Sequence, residues 1–178
     1  MEGQASLPMV VAISLQPSCW MGVAPSTRPS QASLPAALEP FVLPVHTVAT
    51  LAMFGVIWMV QIVHYPLMAW VGRDAFQGWH DRHLRWMTWV VGPLMLAEVA
   101  AALALIESPP PGAPAWLAWT GIALVLVVWV STAVLQVPMH RRLERGWDER
   151  AHRFLVRSNW VRTFAWTARA GVAVAFVL

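Results

Sequence analysis

From Phe41 to Val63 the chain contains no Asp, Glu, Lys or Arg, and the same is true from Pro114 to Met139. Met87 to Ile106 carries Glu98 as its sole charge, and Trp160 to Leu178 carries only Arg162 and Arg169. Apolar stretches of about 18 residues or more leave a chain few choices. In a bilayer every backbone N–H and C=O must be satisfied without water, and a single apolar segment achieves that only as a helix. The expected fold is therefore all-α, with four transmembrane helices over about 41–66, 84–106, 114–139 and 159–178. A composition of 58% hydrophobic and 12% charged residues excludes an ordinary soluble domain.

Each stretch also carries a row of polar residues at helical spacing: His46, Thr50, Gln61 and His64 in the first, His80 and Glu98 in the second, Gln136 and His140 in the third, and Asn159, Arg162, Thr163 and Arg169 in the fourth. Lipid-facing helices cannot carry such rows cheaply, so the rows are expected to face one another inside a four-helix bundle. The two halves are alike in plan. Each has a descending span, a Gln and a Pro near its inner end (Gln61 and Pro66, Gln136 and Pro138), a basic Trp-containing loop and a returning span, which suggests two helical hairpins as a pseudo-repeat. Pro66 and Pro138 are expected to free backbone carbonyls near a helix end, and Pro93 to kink the second span. Nothing but Gly78 interrupts 72–86, so the second helix is expected to run on beyond its span.

Orientation follows from the arginines. Arg73, Arg82 and Arg85 lie between spans one and two, and Arg141, Arg142, Arg145, Arg150, Arg153 and Arg157 between three and four, whereas 107–113 has none. The positive-inside rule puts both long loops in the cytoplasm and both termini outside an inner (plasma) membrane. The pI near 10.4 is thus a topology signal and not a nucleic-acid footprint. Trp70, Trp79, Trp86, Trp89, Trp147 and Trp160 at one boundary, with Trp116 and Trp119 at the other, read as interfacial anchors. Residues 1–40, rich in Pro, Ser and Ala, lack the basic start of a secretory signal and read as a disordered or wrongly started extension of the four-span domain 41–178. The single cysteine, Cys19, excludes an internal disulfide and a thiolate metal cage.

Three constellations carry chemistry. His64, His80, His83 and His140 gather at the inner boundary from three helices, and neutral imidazoles there would suit Fe, Cu or Zn. Bis-His haem is a second use of His64 and His140, but their place beside prolines at the surface argues against a buried macrocycle. The bland alternative is boundary histidines bonded to water or loop backbone. Glu98 and Arg169 lie at similar depth and suggest an ion pair, serving as a register clamp or placing Glu98 on a proton path extended by His46. Arg162, with Asn159 beside it, has a donor fork suited to carboxylate or phosphate, or to the carbonyls before Pro138 and the Gln136 side chain.

Gln136-Val137-Pro138-Met139-His140-Arg141-Arg142-Leu143, followed by Asn159-Trp160-Val161-Arg162-Thr163, resembles the second half of the anthrone-oxygenase-like family, small four-helix membrane proteins mostly catalogued as a domain of unknown function. The resemblance is best over 134–170. Pro138, Leu143, Asn159, Arg162 and Thr163 match the family pattern, while Gln136 and His140 stand where the family has Asn. It implies an oxygenase or oxidoreductase acting on a hydrophobic substrate. On that reading Gln61, Gln136, Asn159 and Arg162 orient substrate or developing charge, Glu98 with Arg169 closes the outer end of the cavity as a further catalytic-site residue, and the four histidines bind metal or move protons. A proton-coupled carrier and a purely structural membrane subunit are the alternatives.

Overall fold

The computed structural model describes residues 37–178; the expectations placed on the preceding extension, Cys19 among them, lie outside the described residues. Every element among the described residues is helical. Four long helices follow one another: α1 (Glu39–Trp70), α2 (Arg73–Glu107), α3 (Ala115–Leu143) and α4 (Glu149–Ala175). α1 packs on α2 and α4, and α3 packs on the same two.

α1, α2 and α3 are long and apolar enough to cross a membrane; α4 is not among them. The reason is compositional, since Glu149, Arg150, Arg153, Arg157, Arg162 and Arg169 all fall within it. The second helix does extend past its apolar stretch, running unbroken from Arg73 through Pro93. At the N-terminus of α4 the Asp148 carboxylate accepts the backbone N–H groups of Arg150 (2.9 Å) and Ala151 (3.0 Å), satisfying two otherwise orphaned donors.

The prolines act through π turns. Tyr65 N–H bonds to the Val60 carbonyl, and Val137 N–H to that of Thr132, each one residue beyond the α-helical partner. Both π turns, Val60–His64 and Thr132–Gln136, close immediately before the residue that precedes a proline. A proline ring clashes with the carbonyl four residues back, and widening the turn by one residue relieves that clash without ending the helix. The likeness of the two halves is therefore structural at this point, with His64 and Gln136 as equivalent positions two residues before their prolines. Aligning Gln61 with Gln136, as composition suggests, is three residues out of register.

The polar rows face inward. His46, Thr50, Gln61, His80, Glu98, Gln136, Asn159, Arg162, Thr163 and Arg169 are all buried. Between them lie three apolar clusters: Met68, Phe76, Leu143 and Leu155 at the end that carries the arginine-rich connections (here the basic end), Met53, Ile57, Val128 and Trp166 in the middle, and Leu105, Leu117 and Phe176 at the far end.

Candidate functional site

The described part of the chain holds two polar centres of different character, and one of them is closed. At the far half, Glu98 binds Arg169 through Nε and Nη2 and accepts the Thr50 hydroxyl. Arg169 Nη1 donates to the Gly121 carbonyl at 2.6 Å, and His46 Nδ1 lies 3.3 Å from Arg169 Nη2. Glu98 and Arg169 are each 1% exposed. The surrounding void, lined by His46, Gly121, Arg169 and Phe176, has essentially no room for a water. Two charges this deep survive only because nearly every donor and acceptor is matched.

The other centre lies at the basic end. His64 Nε2 and His83 Nδ1 are 2.7 Å apart, and His80 Nε2 and His140 Nδ1 are 3.1 Å apart. The Tyr65 hydroxyl is 3.2 Å from His140 Nε2. Trp79 stacks on His83 with nearly parallel rings at 5.5 Å and on His64 at the same separation, holding that pair flat. Phe76 stacks on His80. His152, from α4, lies 2.7 Å from the Tyr65 carbonyl through Nε2, which must donate because a carbonyl only accepts.

Behind the imidazoles stands a chain of amides whose direction is fixed by its far end. Gln61 Nε2 donates to the Val156 carbonyl (3.2 Å), so Gln61 Oε1 must face Asn159, whose Nδ2 donates to it at 2.9 Å. Asn159 Oδ1 is thereby turned toward Arg162 and accepts from Nη1 at 3.3 Å. Thr163 Oγ1 adds a contact to Gln61 Oε1. Gln61 and Asn159 are therefore positioning residues for the guanidinium of Arg162. The carbonyls near Pro138 and the side chain of Gln136 are not its hydrogen-bond partners, contrary to expectation; its neighbours are Asn159 and Tyr65. The i, i+3 spacing puts the Asn159 amide closer than the third helix.

A cavity of about 250 Å³ joins this cluster to the middle of the molecule. Met53, Ile57, Met87, Val91 and Met95 form apolar walls, and Tyr65, His83, Gln136, His140 and Arg162 bring polar groups into the lining. Of the expected site residues, His83, His140, Gln136 and Arg162 line this cavity; Gln61 and Asn159 support it, and His64 and His80 bond to its lining histidines. Glu98 does not line it and belongs to the closed centre.

The expected metal ligands do converge, but as two hydrogen-bonded pairs. Among the described residues no group of three or more His, Cys, Asp or Glu is arranged to hold a metal ion. A ring nitrogen that shares a proton with a second imidazole is not presenting a free lone pair, whereas His80 Nδ1 has no partner among the described residues.

Three contributors escaped sequence reasoning. Tyr65, the only tyrosine, follows Gln61 by one helical turn and prolongs the buried row of α1. His152 prolongs the Asn159, Arg162 and Thr163 stripe backwards by seven residues. Trp79 was read as an anchor, but only Trp70, Trp86, Trp89, Trp116 and Trp119 are the strongly exposed rings that reading requires.

Compared with protein-family models, with curated proteins and with solved structures, the chain matches none.

Proposed function

We propose that this chain is a four-span integral membrane protein, a bundle with an oxygenase-type oxidoreductase activity toward a hydrophobic substrate. The observation that carries the reading is the cavity, apolar along its walls and lined at the basic end by His83, His140, Tyr65, Gln136 and Arg162.

Support for a fourth span comes from how α4 distributes its charges. Beyond Trp160 both arginines are buried, and the exposed positions Val161, Phe164, Ala168, Gly171, Val174, Ala175, Val177 and Leu178 are all apolar. A helix that turns its cations inward and its apolar side outward suits lipid in spite of its composition. The arginine-rich connections then lie on the cytoplasmic side of a plasma membrane, with the 107–115 turn outside.

The chemistry follows from proton connectivity. His83 lines the cavity, and its Nδ1 is 2.7 Å from Nε2 of half-buried His64. A proton taken from a weakly acidic substrate by His83 can be matched by release of the Nδ1 proton to His64 and on to water at the rim. The positive charge of Arg162, fixed by Asn159 and Gln61, favours the anion left in the cavity. Dioxygen, the oxidant that the resemblance implies, would meet that electron-rich anion. No step here passes through a metal.

The test is oxygen uptake by the protein in lipid nanodiscs with anthrone as probe. His83→Gln is expected to lower turnover by roughly 10²–10⁴-fold, the usual contribution of a positioned base. Uptake that is absent, or unchanged in His83→Gln and Arg162→Met, would sink the reading. Elemental analysis of the same preparation adds a second arm. Near-stoichiometric Fe, Cu or Zn that vanishes in His64→Ala/His140→Ala would replace the proton relay with a metalloenzyme.

A further inference from the structure

Where the third apolar helix ends, its first charges gather around an open recess. α3 runs 29 residues from Ala115 to Leu143, about 43 Å at 1.5 Å per residue. A bilayer is about 30 Å thick in its hydrocarbon and about 40–45 Å with its headgroups. A helix of this length that starts at one surface therefore ends among the headgroups of the other. Arg141 is the first Asp, Glu, Lys or Arg of α3. Just beyond it a recess of about 410 Å³ is lined by Arg142, Arg145, Gly146, Trp147 and Asp148.

The corner that carries these residues is fixed by its own backbone and by its neighbours. Arg145 N–H bonds to the Arg142 carbonyl and Gly146 N–H to that of Leu143, both at 3.1 Å. Gly146 then turns at φ 131°, a conformation that a side chain would strain. Trp147 packs edge-on against Phe76 at 5.1 Å and tilts against His152 at 4.7 Å. Arg73, from the start of α2, lies 4.1 Å over the same indole and adds a third guanidinium beside the recess.

The charges of this corner are not spent within the chain. Among the described residues the ion pair of this surface joins Arg153 to Glu149, while Arg73, Arg142 and Arg145 are exposed without one. Asp148 is the one acid in the lining, and its Oδ1 is taken by the Arg150 and Ala151 N–H groups. Against that carboxylate stand two lining guanidiniums with Arg73 beside them, so the recess is cationic. Guanidinium forks match phosphate oxygens, and the second oxygen of Asp148, which only accepts, matches a hydroxyl on the same headgroup. Val130, Val134 and Val137 form an exposed apolar row leading along α3 toward this end, a surface for an acyl chain and of no use to a free ion. We infer that the recess binds the headgroup of an anionic glycerophospholipid of the phosphatidylglycerol kind. Its phosphodiester lies on Arg142 and Arg145, and a glycerol hydroxyl donates to Asp148. A choline headgroup would bring a fixed cation toward the arginines and no hydrogen for Asp148.

The site rests on the membrane reading of α3 and not on the oxidation chemistry, and resistance of the chain to alkaline carbonate extraction tests that reading on its own. The site itself is tested by calorimetric titration of the full chain in nonionic detergent, at about 0.15 M salt. The titrants are dioctanoyl phosphatidylglycerol, dioctanoyl phosphatidylcholine and inorganic phosphate. Phosphatidylglycerol should saturate one site and bind at least about tenfold more tightly than either of the others. Arg142→Gln/Arg145→Gln should weaken it by at least about tenfold, because both arginines touch the phosphate. Arg82→Gln/Arg85→Gln removes the same charge from exposed positions roughly 14 and 18 Å further along α2 than Arg73, beyond the Debye length of about 8 Å. That pair should change the affinity less than about threefold. The comparison of titrants on the unmodified chain stands even if a variant fails to fold. Equal losses in the two double variants would reduce the site to diffuse charge attraction and overturn it. Phosphatidylcholine binding as tightly, inorganic phosphate displacing the lipid at equal concentration, or no saturable binding would overturn it too.

Discussion

Neutralising one member of the Glu98–Arg169 pair should cost more than almost any other single change in this chain. Glu98→Gln removes the carboxylate that holds Arg169 through Nε and Nη2, and Arg169 is 1% exposed. The guanidinium keeps the Gly121 carbonyl at 2.6 Å, the weak His46 contact and one neutral amide oxygen in place of the carboxylate, with no counter-charge and no water able to enter. Breaking a buried pair from one side costs about 3–5 kcal/mol, because the remaining charge is stranded. At roughly 2–4 °C per kcal/mol for a chain of this size, the midpoint of thermal unfolding should fall by about 6–20 °C. The many tryptophans make intrinsic fluorescence in detergent a direct readout. Arg169→Met should cost a similar amount, but Glu98→Leu with Arg169→Met removes both charges and should recover part of the loss. Thr50 then keeps only its long contact to His46 (3.4 Å) and the Gly121 carbonyl only its bond within the helix, so recovery is incomplete, and a coupling energy of at least about 2 kcal/mol is expected from the cycle. Gly121→Ala probes the same network sterically, since a Cβ there would sit 3.0 Å from Arg169 Nη1, an atom that the Glu98 contact prevents from swinging aside. Single costs below about 1 kcal/mol, or additivity of the pair within about 0.5 kcal/mol, would refute the claim that this centre is a closed electrostatic clamp.

Two further predictions address the basic end. Pro138→Ala restores an N–H and removes the ring that forces the Thr132–Gln136 π turn, so the third helix should relax toward regular α geometry; the Tyr65–His140 and His80–His140 contacts should be lost with at most about 1–2 kcal/mol change in stability, readable as a shift of the His140 imidazole NMR resonances without loss of fold. At Asp148 the backbone N–H of Ala151, and then that of Arg150, holds the carboxyl below its ordinary value of 3.8. A depressed acid contributes stability that is fully present above its unfolded value and fades as pH falls through the folded one. Below about pH 4 the wild type should therefore lose stability more steeply than Asp148→Asn, which keeps an acceptor for the cap but does not titrate; parallel acid limbs would count against the cap.

Much of the arrangement was legible because an apolar helix has to turn its few polar residues toward its neighbours. Spacing alone marked His46, Thr50, Gln61, Glu98, Asn159 and Arg169, which the structure buries. The pairing of Glu98 with Arg169 followed from matched depth, although α2 and α4 face each other across the bundle and are not packed side by side. What spacing missed depends on departures from the 3.6-residue repeat. The five-residue turn at Val60–His64 sets Tyr65 beneath Val60, so Tyr65 enters the buried row and His64 is left half-buried at its edge. Trp79 and His83 are one turn apart on α2, so their stacking is within reach of spacing, whereas the stacking of Trp79 on His64 from α1 leaves no trace in local sequence.

The two centres differ in a way that decides where function belongs. Both contain buried polar atoms without partners among the described residues: His46 Nε2 in one, His80 Nδ1, Gln136 Oε1 and Arg162 Nε in the other. An unmet hydrogen bond alone does not make a site, because a ligand also needs space. Around His46 there is essentially none, and its orphaned nitrogen is a cost that a strong ion pair offsets. Gln136 and Arg162, by contrast, are residues that line a cavity of about 250 Å³. Their amide and guanidinium are held in fixed directions by Ser158 and by the Gln61–Asn159 relay. The far half is thus closed around its ion pair, whereas the basic half keeps an open cavity beside its histidines, and only the second leaves room for anything beyond the chain's own side chains.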